Sequence, residues 1–255
     1  MITAVCCVPV SPVRTESRHK SEMSTQLLFG EVVEVVEKGD ENWIRIRCLY
    51  DYYEGWITQS HVTEIPESVA MEKWHLASDW ANEIVFHSQP MFIPLGSDLR
   101  GLKNGQAEWG KYSWSFKGNH IDPVITQRNE KTVIRLTHRF LNTPYLWGGR
   151  SVFGIDCSGF SQVIYKCLDV PLLRDAYQQA TQGEGIGFLQ EVKCGDLAFF
   201  DNDEGRITHV GILLNEHEII HSSGKVRIDR IDSQGILNTG TQERTHRLRL
   251  IKRYF

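Results

Sequence analysis

The sequence predicts an α+β protein in which small β-barrel modules precede a larger mixed domain. Three observations lead to this prediction. Short apolar runs separated by turn residues fill the first 65 positions. Farther along the chain, a loop leads into a helix-like segment that begins at Cys157. Two strand-like apolar segments follow it, and each contains a histidine, His209 or His221.

The composition is that of an ordinary globular protein with two or three domains. The chain has 255 residues, of which 41% are hydrophobic and 24% charged, with a net charge of −4. The absence of a basic excess argues against a nucleic-acid partner. No run of about 18 apolar residues is available to span a bilayer, so no membrane association is expected. The N-terminus lacks the charged and apolar regions of a secretory signal, so a cytoplasmic location is expected unless a leader was removed.

The six cysteines, at positions 6, 7, 48, 157, 167 and 194, do not form a recognisable binding or cross-linking pattern. No two of them are separated by the two to four residues that supply half of a structural zinc site. Cys6 and Cys7 are adjacent, which disfavours a simple disulfide framework. We therefore expect a reducing compartment and no structural zinc site. No cofactor is expected either.

Residues 1–65 are predicted to form a small β-barrel from strands at 27–31, 32–36, 43–47 and 54–57. In the third of these, Ile44 and Ile46 alternate with Arg45 and Arg47, a period of two. Turn residues at 38–40 and 51–53 separate the strands.

Residues 66–122 are predicted to form a second small β-rich module. Proline and glycine interrupt short apolar pieces, and a plain linker is the alternative. A structureless linker of about 55 residues is unusual in a compact protein, and this one would contain four tryptophans. Residues 123–255 form the third domain, which begins with a predicted helix at 132–141 that ends before Pro144.

Cys157 is the candidate nucleophile. A helix predicted to continue to Leu168 starts at this residue, and the partial positive charge of a helix N-terminus lowers a thiol pKa from about 8.5. A lone cysteine is more often a small buried hydrophobe. The neighbouring Asp156, Ser158 and Gly159 at a loop-to-helix junction favour the catalytic interpretation.

His209 and His221 are the candidate base and its orienting group. They lie on predicted strands at 208–214 and 218–223. If residues 215–217 form the hairpin loop, position 211 faces 221 and the two histidines share one face; a two-residue loop would separate them. A single strand histidine is more often structural, but two beside a cysteine suit thiol chemistry. The Cys157 backbone N–H and the Tyr145 hydroxyl are the expected oxyanion donors.

Three motifs, Asp156-Cys-Ser-Gly-Phe160, Thr208-His-Val-Gly-Ile212 and Ile220-His-Ser-Ser-Gly224, resemble the NlpC family of bacterial cell-wall cysteine peptidases. The resemblance covers residues 123–255 and implies a papain-like domain with a Cys-His-His triad and no metal. Val10-x-x-Val13-Arg14 together with Gly55-Trp56-Ile57 is similar to bacterial SH3-like domains over residues 5–65. The combination resembles γ-D-glutamyl-L-diamino acid endopeptidases of the dipeptidyl-peptidase VI type.

The resemblance implies a substrate and the residues that bind it. Such enzymes cut murein peptides after L-Ala-γ-D-Glu and read the free amine of L-Ala. Asp175 is the expected partner of that ammonium and Arg174 its neighbour, although a solvated charge pair is an equal alternative. Ala176 stands where the family has serine, so one substrate hydrogen bond is in doubt. The other substrate-binding residues that we expect are Asp156, Ser158, Trp147, Glu22 and Tyr53.

A role in peptide recycling follows from these expectations, with Glu22 and Tyr53 closing the site or standing as inert surface residues. The alternatives are an exported hydrolase that acts on intact wall, an amidase or acyltransferase with the same Cys-His site, and a non-catalytic wall-binding protein. The identity of the diamino acid and the oligomeric state are left open.

Overall fold

A computed structural model describes residues 2–255, which form two compact units. The first unit runs to Ile125 and includes Trp147–Val152, and the second comprises Thr126–Leu146 and Phe153–Phe255. Strands dominate both units and the α-helices are short, so the α+β class is confirmed. The division into three domains at 65 and 122 stays a prediction. Within the described residues, no helix is long and apolar enough to cross a membrane.

The first unit begins with an antiparallel sheet in the order β3-β2-β6-β5-β4-β1-β7. Its strands are β1 (Ile2–Cys6), β2 (Val10–Arg14), β3 (Met23–Leu28), β4 (Val32–Lys38), β5 (Trp43–Cys48), β6 (Glu54–Thr58) and β7 (Val62–Glu64). A 3₁₀-helix, Gln59–His61, joins the last two.

The period of two predicted for β5 is confirmed. Ile44 and Ile46 are buried in the barrel core, while Arg45 and Arg47 point outward and both bond Glu54 on β6. The strand predicted at 27–31 is wrong beyond Leu28. Gly30 has a φ of +82°, which favours glycine and turns the chain, and the Glu31 carboxylate closes this turn by accepting the Leu28 N–H at 3.0 Å.

The rest of the first unit contains a four-stranded sheet in the order β10-β9-β12-β11 and a separate β13-β8 pair. These elements are α1 (Glu67–Ala70), β8 (Leu76–Ala77), β9 (Ala81–Phe86), β10 (Gln89–Pro94), β11 (Gln106–Trp109), β12 (Tyr112–Phe116), β13 (His120–Ile121), the 3₁₀-helix Pro123–Ile125 and β14 (Arg150–Ser151). Trp109, Trp114 and Phe116 bury their rings with Phe29 of the barrel in one hydrophobic core. The burial of these rings explains why the segment is ordered rather than a linker.

The second unit contains a sheet in the order β16-β22-β17-β18-β19-β20-β21, with β21 also paired to β22, so that six of the strands close into a ring. Its elements are α2 (Glu130–His138), β15 (Gly154–Ile155), α3 (Cys157–Lys166), α4 (Ala176–Gln179), β16 (Glu184–Ile186), the 3₁₀-helix Leu189–Glu191, β17 (Leu197–Asp201), β18 (Ile207–Leu213), β19 (Glu218–Ser223), β20 (Lys225–Asp232), β21 (Gly235–Leu237) and β22 (Arg244–Arg253).

The two long helices depart from their predicted bounds. Helix α2 begins earlier than expected because Asn129 caps it, accepting the Thr132 N–H at 3.0 Å, and it ends at His138 rather than at 141. Helix α3 begins at Cys157 as predicted and ends at Lys166, two residues before the predicted Leu168. Every residue of α3 is buried, and the helix packs against β18 and β19. This packing brings the cysteine to the strands that contain the histidines.

Candidate active site

Cys157 is the first residue of α3, and its position is set by the residue before it. Asp156 is the N-cap, whose Oδ1 accepts the Gly159 N–H at 2.7 Å. A carboxylate at this position satisfies one of the free N–H groups of the first turn. The Cys157 side chain is only 7% exposed. The predicted loop-to-helix junction is therefore present, with the cysteine on its inner side.

The predicted lowering of the Cys157 pKa is wrong for the free protein. Burial raises the pKa of this thiol to about 12, and the nearby charge of Asp156 adds to the increase. A hydrogen bond with the Val210 backbone and the charge of Arg174 act in the opposite direction but are smaller. Low dielectric surroundings penalise the thiolate more than the helix terminus favours it. The thiol is thus protonated at rest and needs an adjacent base.

The hairpin register that determines the positions of the two histidines is confirmed. Ile212 pairs with Ile220 and Leu213 with Ile219, which puts position 211 opposite His221. Both histidines are buried, and the Nε2 atom of His209 lies 2.8 Å from the Nδ1 atom of His221. A Cβ at Gly211 would lie 2.9 Å from the His221 Cβ, so the glycine leaves room for this imidazole.

His209 is a neutral imidazole on the strand that the thiol contacts. Its neighbour Val210 bonds the Cys157 sulfur, so the cysteine lies against this part of β18. Burial, and then the proximity of His221 and His246, hold the pKa of His209 well below 6.5. A neutral imidazole accepts a proton at neutral pH. The pair therefore has the protonation states that general-base activation of a thiol requires.

Two further residues belong to this cluster and were missed from the sequence. The Nε2 atom of His221 lies 3.0 Å from Oδ2 of the buried Asp229 on β20. His246 on β22 stacks on His209, with ring centroids 4.1 Å apart. Burial lowers the pKa of His246 to about 4, so it too is neutral. Gly224 between β19 and β20 indicates a hairpin turn, and this turn could have predicted that Asp229 lies beside His221. No local signal predicts His246, because β22 reaches the site only through long-range strand pairing.

Tyr145 keeps its hydroxyl proton. It is half-buried, and burial followed by the proximity of Cys157 raises the pKa of the phenol well above its usual range. A protonated phenol near the nucleophile is able to donate to an oxyanion. Its role as the second donor stays a prediction.

Arg174 is buried and is bonded to the residues on either side of the nucleophile. Its guanidinium donates to both carboxylate oxygens of Asp156, at 3.1 and 2.6 Å, and to Ser158 Oγ at 2.8 Å. Only 1% of Arg174 is exposed. The alternative of a solvated charge pair with Asp175 is therefore wrong for the arginine. Whether Arg174, Asp156 and Ser158 also contact substrate stays a prediction.

Asp175 is the half-buried N-cap of α4, and its backbone N–H donates to Gln178 Oε1 at 3.0 Å. Helix α4 is tied to α3 by Gln179, which donates to the Ser158 carbonyl at 3.0 Å and accepts from Ser161 at 2.8 Å. These bonds fix helix α4 against the first turns of the nucleophile helix. The role of Asp175 as amine binder stays a prediction.

Trp147, Glu22 and Tyr53 lie in the first unit. The Trp147 indole donates to Glu22 Oε1 at 2.7 Å, while Tyr53 packs against the barrel core. Their expected part in substrate binding stays a prediction. Among the described residues, no group of three or more His, Cys, Asp or Glu is arranged to hold a metal ion.

Family models match both regions of the chain. The NlpC/P60 family matches residues 142–245, and the bacterial dipeptidyl-peptidase Sh3 domain matches residues 13–62. A crystal structure of an NlpC/P60 family protein from Bacillus cereus ATCC 10987 is similar over 99% of both chains, with a TM-score of 0.82 and 20% identity. This similarity shows the fold.

Curated relatives have similar names. A γ-D-glutamyl-L-lysine dipeptidyl-peptidase of Bacillus subtilis (strain 168) is 43% identical over 103 residues, which is 39% of this chain and 34% of the relative. One of the same name from Bacillus cereus (strain ATCC 10987) is 28% identical over 229 residues, 79% of this chain and 68% of the relative.

A probable endopeptidase of Haemophilus influenzae is 33% identical over 116 residues, 44% of this chain and 68% of the relative. The similarity extends over the segment that carries the cysteine and both histidines, and the resemblance inferred from the three motifs is confirmed. The chain belongs to the NlpC/P60 family of peptidases, with a bacterial dipeptidyl-peptidase type of SH3-like region ahead of its catalytic domain.

Proposed function

We propose that this protein is a cysteine peptidase that hydrolyses the bond between γ-D-Glu and the diamino acid of cell-wall peptides with a free N-terminal L-Ala. The observation that carries the proposal is the buried Cys157 thiol against the strand of a neutral His209, itself bonded to His221. The names of the Bacillus relatives support the choice of bond.

The reaction that this site supports has two steps. His209 takes the Cys157 proton as sulfur attacks the carbonyl carbon of γ-D-Glu, and then protonates the departing amine as the C–N bond breaks. Water next attacks the thioester carbon and gives a proton to His209, and His209 returns it to sulfur as the C–S bond breaks, which leaves the γ-carboxylate of D-Glu and the free thiol. Tyr145 and the Cys157 backbone N–H donate to the oxyanion in both steps. His221 keeps the His209 ring in position.

Asp175 supports selection of a free amine. Its carboxylate caps helix α4, which Gln179 ties to the nucleophile helix. An ammonium is the natural partner of such a carboxylate. Position 176 is a buried alanine, which has no hydroxyl to replace that of the serine found in related enzymes.

Recycling of released peptides in the cytoplasm is the cellular role that we propose. A free L-Ala amine exists only after the peptide has left the glycan strand, because that amine is otherwise bound in an amide. The cysteines of the described residues are free thiols, which suits a reducing compartment.

The test is hydrolysis of L-Ala-γ-D-Glu peptides ending in L-Lys or meso-diaminopimelate, with and without N-acetylation, followed by mass spectrometry. Acetylation removes the cation that the Asp175 carboxylate would bind, a loss of about 2–5 kcal/mol, so kcat/KM should fall about 30-fold or more. Asp175→Asn should remove most of this preference. Asp169→Asn is the matched control, since Asp169 lies in the same α3–α4 connection and pairs with Arg128.

Equal cleavage of the free and acetylated peptides by the wild type would overturn the amine-selective recycling role. Preferential cleavage of intact peptidoglycan would favour an exported hydrolase. Transfer of the acyl group to an added amine rather than to water would favour an acyltransferase.

A further inference from the structure

We propose that Asp229 is a positioning residue that sets the tautomers of both active-site histidines, so that Nδ1 of His209 is the atom that accepts the thiol proton. The inference rests on the proposed function for its chemistry. It goes beyond the Cys157, His209 and His221 triad by adding a fourth group, which acts through the other histidine and does not contact the reacting atoms.

The Asp229 carboxylate is held on every side. Oδ1 accepts the Thr239 backbone N–H and the Arg227 Nη2–H, both at 2.8 Å. Oδ2 lies 3.0 Å from His221 Nε2 and 2.8 Å from Arg227 Nε. Asp229 is 2% exposed, and Arg227 donates in turn to Asn238 at 2.8 Å. These donors hold the pKa of Asp229 well below its usual range, so the group is an anion.

A fixed anion at Asp229 determines which nitrogen of each imidazole, first His221 and then His209, carries the proton. A carboxylate only accepts hydrogen bonds, so the Nε2 atom of His221 must carry the proton that points at Oδ2. When Nε2 carries the single proton of the His221 ring, Nδ1 has a lone pair, and the 2.8 Å contact with His209 requires a proton on His209 Nε2. Nδ1 of His209 is consequently free of a proton. The anion thus selects the tautomer in which His209 is a base.

Asparagine at 229 should select the opposite pattern. Oδ1 faces two donors that cannot change, the Thr239 backbone N–H and the Arg227 Nη2–H, whereas Arg227 Nε is near Oδ2 without forming a hydrogen bond. The amide oxygen is therefore required at the Oδ1 position, and the amide NH₂ falls at the Oδ2 position. The amide then donates to His221 Nε2, moves the His221 proton to Nδ1 and forces the His209 proton onto its own Nδ1. Asp229→Asn, which keeps the shape of the side chain, would therefore put a proton on the His209 nitrogen that has to act as the base.

Asp229→Ala should lower activity less than Asp229→Asn does, because alanine removes the acceptor without donating a hydrogen bond to His221. We expect kcat to fall about 100-fold or more in Asp229→Asn and about tenfold in Asp229→Ala, with KM little changed in both. A purely structural role predicts the reverse order, since alanine leaves a cavity and an unpaired Arg227 whereas asparagine preserves the shape. Asp232→Asn is the control, because Asp232 lies on the same strand and pairs with Arg244 away from His221.

The independent readout is the tautomer itself, measured by imidazole ¹⁵N chemical shifts in the wild-type protein near pH 7. We expect Nε2–H on both His209 and His221, and Nδ1–H on both in Asp229→Asn. A wild-type His209 that carries its proton on Nδ1 overturns the proposal even if no variant folds. So does a larger loss of kcat in Asp229→Ala than in Asp229→Asn. Failure of the wild type to cut the tripeptide counts against the proposed substrate alone, because the tautomers are still measured.

Discussion

The buried Arg174–Asp156 ion pair should contribute far more to stability than its exposed counterpart in the same unit. In Arg174→Met the Asp156 carboxylate stays buried beside Ser158 and loses both guanidinium bonds, of 2.6 and 3.1 Å. Removing one member of a buried pair typically costs about 3–5 kcal/mol of unfolding free energy. For a protein of this size that corresponds to a melting temperature lower by about 6–20 °C.

The matched control is Arg244→Met. Arg244 also forms a two-point contact with an aspartate, Asp232, but about half of each of the two side chains is exposed. Solvent screens such a pair, so its loss should produce a several-fold smaller shift. Asp156→Asn combined with Arg174→Met should restore part of the stability, because asparagine still caps α3 without an unpaired charge.

The assay uses the distribution of chromophores between the two units. The seven tryptophans are all at position 147 or earlier and lie in the first unit, whereas the longer helices α2 and α3 lie in the second. Circular dichroism at 222 nm in urea is therefore weighted toward the second unit, and tryptophan fluorescence follows the first. A dichroism midpoint for Arg174→Met no lower than that of Arg244→Met would refute the reasoning.

Three further predictions concern the catalytic cluster. Cys157→Ala should abolish hydrolysis while circular dichroism shows that the fold is retained. Cys167→Ala, at the other end of α3, should keep hydrolysis. Residual turnover in Cys157→Ala would contradict the assigned nucleophile. His221→Ala should lower kcat more than it raises KM and less than His209→Ala does, since it orients rather than transfers the proton; an equal or larger loss would exchange their roles. His246→Phe should flatten the pH dependence of stability. The folded protein holds the pKa of His246 at about 4 and the unfolded chain near 6.5, so the unfolded chain binds more protons between these values and wild-type stability falls as pH falls through that window. Urea unfolding at pH 7, 5.5 and 4.5 measures this slope, and an unchanged slope would show that other groups dominate.

The sequence by itself determined the central chemistry of this protein, because that chemistry is encoded locally. A cysteine after Asp156 at a loop-to-helix junction becomes the first residue of α3 because Asp156 caps that helix. The pairing parity of this hairpin, predicted from a three-residue loop, was enough to put His209 and His221 on one face. The same parity argument, applied to the next hairpin at Gly224, would have found Asp229.

Only the tertiary structure decided the features that depend on burial and on long-range pairing. The thiol pKa rises rather than falls because α3 is enclosed on all sides, which no property of residues 156–160 reveals. Arg174 turns inward to Asp156 because the fold removes both from water, so that each needs the other as a partner. His246 reaches His209 only because β22 closes the ring of strands from the far end of the chain.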